Sequence, residues 1–480
     1  MNQEKPILIL QMQRMGDLVL SYPLFGWLAS ALPGAPIWVV GERLFFEGLV
    51  DISPPATYFE YSAAKLLQSR SYSLLINLSH RREAALLAGS LASERRVGPR
   101  LGPEQAAALH LEGNWQLYRA SIAQNNRHNL FHWADLNALD LIPLRQMRRT
   151  NWPLPEAQTK RGGQLGQSRR IGLFVGASEA DKRPDPPFWA SLAEKLLKLG
   201  FRPVFLGGKG DHELASRAAD ILKAPALNLC GKFSIKELCL FIKEMELLVV
   251  PDTGPMHIAA WLGVPVLNLS LGPVNAWETG PFAPNQYVMR RKLSCVGCWQ
   301  CGQARVWCKE NFSAERAAEV AALLLAGRHD ALAGLSLPGY ELYQTRRDEN
   351  GLFDMRPTTA NAPHLARSRF WKLFFLLGLK KLPRDAASLQ KLAEAAQSLR
   401  EPQGLEKMLR RHTGALLLQV GRSLRGQSNS LAGDDSWQNL PPLLRPLSSF
   451  IQMKLQNENS SRPALLESLA LLELFENVVS

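Results

Sequence analysis

The chain has 480 residues, 46% of them apolar, and 56 Lys and Arg against 43 Asp and Glu give a formal charge of +13. That composition excludes a mostly disordered or collagen-like chain, and at roughly 100 to 200 residues per domain the length excludes a single small binding module. The positive balance says that some face meets anions, whether phosphate, carboxylate, anionic lipid or nucleic acid, without choosing among them.

The first apolar run, Pro6 to Leu10, is too short for a secretory core or a membrane span, so the expected location is the cytoplasm. Residues 7 to 11 read as a buried strand that breaks at Met15-Gly16-Asp17, after which Leu18 to Ala31 reads as a helix. Strands follow at Ile37 to Val40 and Leu74 to Leu78 with helical stretches between, the alternation of a parallel α/β sheet. Residues 152 to 170 lose periodicity and collect Pro, Gly, Gln and basic residues, which predicts a linker. A second alternating series has strands at Ile171 to Val175, Arg202 to Leu206, Leu247 to Val250 and Val264 to Leu269. Helices are expected at Pro187 to Leu199, Leu214 to Leu222 and Pro255 to Leu262. This gives two doubly wound domains, 1–158 and 169–330, with ligands expected beyond the carboxyl ends of the strands, in the cleft between them.

Past residue 330 a hairpin turn at Asp348-Glu349-Asn350-Gly351 is followed, over 363–480, by helical periodicity alone. Residues 367 to 425 hold 13 Lys and Arg against 4 Asp and Glu. Phe370, Trp371, Phe374 and Phe375 there either lie on an anionic bilayer or form the core of a small bundle whose solvated face carries the charge.

Four loops at strand ends carry candidate chemistry. Asp17 either caps its helix or serves as a general base in the cleft. Asp252-Thr253-Gly254-Pro255-Met256-His257 opens a helix, where free backbone N–H groups suit a diphosphate; helix capping with a buried His257 is the plainer alternative. Ser178 with Lys182 and Arg183, and the Gly207 to Asp211 turn, lie at the same sheet edge, and each is also explained as a solvated loop or a helix cap. Neither G-x-G-x-x-G nor G-x-x-x-x-G-K-[ST] occurs at these turns, which argues against a dinucleotide oxidoreductase or a P-loop nucleotidase.

The pairing of Arg14-Met-Gly16-Asp17-Leu-Val-Leu-Ser-Tyr-Pro23 with Asp252-Thr253-Gly254-x-x-His257-x-Ala-Ala-x-x-Gly263-x-Pro265 resembles glycosyltransferase family 9, the heptosyltransferases of lipopolysaccharide core assembly. Gly-Ala-Ser-x-x-x-Lys182-Arg183, Gly272-Pro273 and Thr279-Gly280-Pro281 fall in the family's order, and the resemblance covers about residues 5 to 328. It implies a GT-B fold, two Rossmann-like domains facing a cleft, here with an α-helical appendage. It also implies inverting transfer without a catalytic metal or cofactor, from a nucleotide sugar held mainly by the second domain; ADP-heptose is the expected donor, and no residue distinguishes it from another nucleotide sugar. Residue by residue, Asp17 is the implied general base, while Thr253, Gly254 and His257 hold the diphosphate, with Asp252 counted among the donor-binding residues. Ser178 and Lys182 neutralise the departing charge, and Asp211 contacts the ribose. Arg81, Arg82, Arg127 and His128 are candidates for an anionic glycan or glycolipid acceptor, with a solvated basic face as the alternative.

Six cysteines fit a reducing compartment, but Cys295, Cys298, Cys301 and Cys308 follow an x2, x2, x6 spacing tight enough for Zn2+ or an iron–sulfur cluster. Free thiols or an occasional disulfide are the alternatives. Against the glycosyltransferase stands a non-catalytic nucleotide-sugar-binding or scaffold protein with a membrane- or partner-binding tail. Retention of both Asp17 and the Asp252 to His257 element speaks against it. Nucleic acid is not an expected partner, since only charge points to it; peripheral contact with the inner face of the cytoplasmic membrane is left open.

Overall fold

The computed structural model describes residues 5–102, 109–123, 125–150, 169–295, 297–358, 364–400, 404–427 and 440–479. Nearly all of the predicted linker at 152 to 170, and most of a looser break between Gly426 and Asn439, lie outside the described residues.

The first sheet has six strands in the order β3-β2-β1-β4-β5-β6. β1 (Ile7–Gln11) lies inside it, fully buried and paired in parallel with β2 (Ile37–Gly41) and β4 (Ser71–Asn77). An unbroken apolar run is what a strand covered on both faces requires. β3 (Thr57–Phe59), β5 (Ala92–Arg100) and β6 (His110–Glu112) complete the sheet, β6 antiparallel at one edge. Those three escape a reading by periodicity because β3 and β6 are three residues long and β5 reads Ala-Ser-Glu-Arg-Arg-Val-Gly-Pro-Arg. The expected Leu18 to Ala31 helix is two, Met15–Val19 and Tyr22–Ala31. The second starts with Pro23 in its first turn, where a missing N–H costs nothing but where a continuous helix would lose a bond.

The second sheet has eight strands in the order β14-β13-β12-β11-β10-β7-β8-β9. Its parallel part comprises β7 (Arg170–Phe174), β8 (Arg202–Leu206), β9 (Leu227–Asn228), β10 (Leu247–Pro251), β11 (Val266–Leu269) and β12 (Tyr287–Arg291). The hairpin β13 (Tyr340–Arg347) and β14 (Phe353–Pro357) is added antiparallel to β12, so this sheet runs past residue 330. Asp348 shapes the hairpin turn by accepting from the N–H groups of Asn350 and Leu352 at 2.8 and 3.0 Å. Gly351, at φ +80, lies so close to Arg148 that a Cβ would fall 2.4 Å from its Cα. Beside it the Arg347 guanidinium donates to the carbonyls of Met147 and Thr150, seating the hairpin on the end of the first domain.

The C-terminal helices are His364–Gly378, Ala386–Ala396, Leu405–Leu424, Arg445–Asn457 and Arg462–Val479. Phe370, Trp371, Phe374 and Phe375 are buried, which decides between the two readings of these aromatics in favour of a core. Trp371 stacks on Phe475 at 5.5 Å, and Phe375 meets Phe450 at 5.7 Å and Tyr118 of the first domain at 4.6 Å. One apolar core therefore runs from the helices of the first sheet into the C-terminal helices. Among the described residues no helix is long and apolar enough to cross a membrane.

Candidate active site

The chain leaves β1 at Gln11, whose buried Nε2 donates to the Ser21 hydroxyl at 2.8 Å and to the Asp17 carbonyl at 3.3 Å. This holds the first turn of the Met15–Val19 helix, which carries Gly16 and Asp17. Asp17 Oδ2 accepts from the Arg14 N–H at 3.3 Å, so capping and a place at the domain junction coexist. Burial raises the Asp17 pKa above the usual carboxylate value, opposed by the charge of the Arg119 guanidinium and by the Arg14 N–H.

From the second sheet, β10 ends at Pro251, and Thr253 is the N-cap of the Gly254–Trp261 helix without its side chain making a capping bond. The two elements meet glycine to glycine. A Cβ on Gly16 would stand 3.0 Å from His257 Cδ2 and 3.4 Å from Gly254 Cα; one on Gly254 would stand 2.6 Å from Met15 Cε and 3.4 Å from the Gly16 nitrogen. Glycine lets the two backbones come this near: a side chain on Gly16 would press on the His257 ring, and one on Gly254 would have to displace the end of the Met15 side chain. The carboxylate turn of one sheet is thereby set beside the helix N-terminus of the other.

Asp252 accepts from the Thr279 hydroxyl at 2.6 Å. Burial lifts its pKa to about 6; the Thr279 bond and the charge of Lys182 pull it down, and the neighbouring Asp17 pushes it up. His257 is 6% exposed, its Nδ1 has no partner, and burial lowers its pKa to about 4, so it is neutral at physiological pH. Lys182 ends the turn after β7 and pairs with Glu179 at 3.3 Å, while Asp181 and Lys182 pack so near Gly272 that a Cβ there would fall 2.8 Å from the Asp181 carbonyl oxygen.

The structure thus brings Asp17, Lys182, Asp252, Gly254 and His257 together. Ser178 is exposed on the loop that bears Lys182. Asp211 has both oxygens engaged, by Arg183 Nη1 at 2.8 Å and by the Gly208 N–H at 2.9 Å, and its carboxylate fills the space over Gly176. Arg81 pairs with Glu42, Arg127 is exposed, and His128 Nδ1 lies 3.4 Å from Ser368 in the first C-terminal helix.

Sequence reasoning passed over the polar layer behind Asp17. Arg119, on the Asn114–Ser121 helix, donates to Asn137 Oδ1 at 2.8 Å, lies over the Trp133 ring, and is within electrostatic reach of both Asp17 and Glu278. Glu278, 1% exposed, accepts from Asn126 and Asn129 at 2.8 Å each and from Trp299 Nε1 at 3.3 Å. Burial raises its pKa to about 7, against the pull of those three donors and of Arg119. Asn275 Nδ2 adds a bond to the Asn126 carbonyl at 3.1 Å, so this layer ties the two domains together beside the site.

Two Rossmann-like sheets whose strand-to-helix turns meet at one junction define a GT-B fold. Over 67% of this chain and 99% of the other, the fold superimposes on the structure of the ADP-heptose LPS heptosyltransferase II of E. coli, with a TM-score of 0.51 at 18% identity. Residues 61–304, about half of the chain, match the model of glycosyltransferase family 9 (heptosyltransferase), and the chain belongs to that family. It is 31% identical over 166 residues to lipooligosaccharide heptosyltransferase 2 of Campylobacter jejuni, a match that spans 33% of this chain and 52% of that relative. It is 22% identical over 283 residues to the lipopolysaccharide core heptosyltransferase OpsX of Haemophilus influenzae, covering 55% of this chain and 78% of the relative. The chain thus spans about half the length of the first of these relatives.

Proposed function

We propose that the protein transfers a heptose from ADP-heptose, with inversion and without a catalytic metal, to a lipopolysaccharide core or related surface-glycan acceptor. The observation that carries this is the glycine-to-glycine contact that sets the Asp17 turn beside the N-terminus of the Gly254–Trp261 helix. In this reading the Asp17 carboxylate takes the proton of an acceptor hydroxyl as its oxygen forms the new bond to the anomeric carbon. The bond from that carbon to the diphosphate breaks on the opposite face, and the electron pair leaves with ADP. Backbone N–H groups at the helix N-terminus, the uncommitted Thr253 hydroxyl and Lys182 receive the charge that develops there, so no cation is required. His257, being neutral, offers a hydrogen bond rather than a charge, and Asp252 accepts from donor hydroxyls. Ser178 completes the phosphate loop. Asp211, held by Arg183, acts by keeping the loop over Gly176 in shape, with a ribose contact as the further role that the family pattern assigns to it.

The test is a panel of nucleotide sugars followed by thermal stabilisation and by release of the nucleoside diphosphate. ADP-heptose at about 100 times its dissociation constant should add about 2.7 kcal/mol and release ADP when an acceptor is supplied. Binding without turnover over any lipopolysaccharide-core acceptor would leave the scaffold reading instead.

Membrane contact, in the same proposal, belongs to the Leu405–Leu424 helix rather than to the buried aromatics. Lys407, Arg411, Leu418 and Arg422 are exposed along it, and Arg425 continues their line at its end. At 100° per residue they fall on one face, and each cation near an anionic bilayer is worth about 1 kcal/mol. Replacing the four cations by Gln should abolish co-sedimentation with phosphatidylglycerol vesicles at low salt. Unchanged sedimentation would remove this face from the proposal.

A further inference from the structure

Cys295, Cys298, Cys301 and Cys308 have no part in the transfer described above, yet all four line one cavity of about 70 Å³, together with Arg290 and Arg291 from β12. All four are free thiols. Among the described residues no Asp, Glu or His lines the cavity, so sulfur is the ionisable ligand type found there. Arg291 Nε is buried with no hydrogen-bond partner, its guanidinium lies over the Tyr340 ring at 5.2 Å, and Arg290 pairs with Glu341 at 3.5 Å. One N–H of that guanidinium is thus left unspent beside four thiols, where an anionic group would satisfy it.

We propose that these four cysteines form a structural tetrathiolate site for a single soft divalent cation of the zinc type. Two x2 spacings let neighbouring thiolates turn toward one ion, and four sulfurs fill a tetrahedral shell, leaving no open position for catalysis. Binding releases the four thiol protons to solvent and leaves a centre of charge −2, which Arg290 and Arg291 on the same cavity wall offset. Among the described residues no three ligand groups stand at metal-holding distance, so binding requires the loop to draw the thiolates together. Gly302, around which a Cβ would meet nothing within 4 Å, leaves this loop room to turn, whereas Gly297, at φ +61, is anchored against Asn126 and Asn275.

The loop's position gives the site a consequence. Lys309, next to Cys308, donates to the Ala180 carbonyl at 3.1 Å and pairs with Asp185 at 2.8 Å, on either side of Lys182. Trp299, next to Cys298, bonds Glu278 and stacks on Trp133 at 5.5 Å. An ion would therefore fix a strap that reaches both the phosphate loop and the polar layer between the domains.

The experiment uses the full chain, purified anaerobically, with metal content measured directly and the chelator-stripped, reduced protein titrated with Co2+. We expect about one equivalent of zinc per chain, and a Co2+ spectrum with sulfur-to-cobalt charge transfer and the intense visible bands of a tetrahedral tetrathiolate. Cys301→Ser and Cys308→Ser, each checked for native circular dichroism, should weaken Co2+ binding at least about tenfold, the least that even an outer-shell change costs. Metal below about 0.2 equivalents with no tetrahedral Co2+ spectrum, a brown chromophore with acid-labile sulfide, or a disulfide in the anaerobic protein would each overturn the proposal. None of these readouts depends on transferase activity.

Discussion

Asp17→Asn is expected to lower kcat by about 10²- to 10⁴-fold, the contribution of a positioned general base, while leaving stabilisation by the donor unchanged. The two readouts separate a lost base from a collapsed site, because Gln11 and Ser21 hold this turn through the Asp17 carbonyl and not through its carboxylate. Wild-type transfer should fall as pH drops through the Asp17 pKa, since the base works only when ionised. Burial raises that pKa, so the acid limb of kcat/KM should lie above the ordinary aspartate range. Arg119 lowers the same pKa by its charge; Arg119→Met should move the limb to higher pH and Arg119→Lys should hold it near the wild-type position. An Asp17→Asn protein that keeps near-full activity would remove the assigned base and the mechanism built on it.

Lys372→Met should cost about 3 to 5 kcal/mol of stability, read from the denaturant midpoint at constant slope. Lys372 is 8% exposed on the first C-terminal helix, pairs with Asp348 at 2.8 Å and donates to the Phe353 carbonyl at 3.0 Å. Asp135, whose Oδ2 accepts from the Phe353 N–H at 2.8 Å, is close by, and burial lifts its pKa to about 7 against the pull of that bond and of the Lys372 charge. Removing the cation leaves the buried Asp135 and the part-buried Asp348 with backbone N–H partners but without the charge that offsets theirs. A carboxyl whose folded pKa is raised contributes stability below its unfolded pKa and loses it as pH rises through the folded one, so the deficit should be larger at about pH 8 than at about pH 5. A loss below about 1 kcal/mol at both would mean that the hairpin and the C-terminal helix are joined by apolar contact alone.

The strands that periodicity picks out, Ile7–Gln11, Arg202–Leu206 and Leu247–Pro251 among them, are buried on both faces along all or nearly all of their length, where apolar residues are favoured. β5 and the two-residue β9 carry no such pattern, because polar or short strands take their place from the partners on either side. The same limit applies to the site. Gly16-Asp17 and Asp252 to His257 are legible because strand, small residue and helix start follow one another locally. Arg119 and Glu278 are isolated charges in ordinary helices some 160 residues apart, and nothing near either of them in the chain points to the other.

What the amino-acid order determined by itself was therefore the local grammar: two α/β series, the turns where chemistry belongs, and the tight cysteine spacing. These depend on backbone dihedrals and burial within a few residues. Only the tertiary structure decided that the two turns touch through Gly16 and Gly254, and that a polar layer around Glu278 holds the domains together there. It also decided the fate of the +13 charge and of the aromatics beside its densest stretch: Trp371 and Phe375 face Phe475 and Tyr118, while Lys407, Arg411 and Arg422 stay outside. Burial is a property of what another part of the chain covers, and no window of sequence contains its own cover.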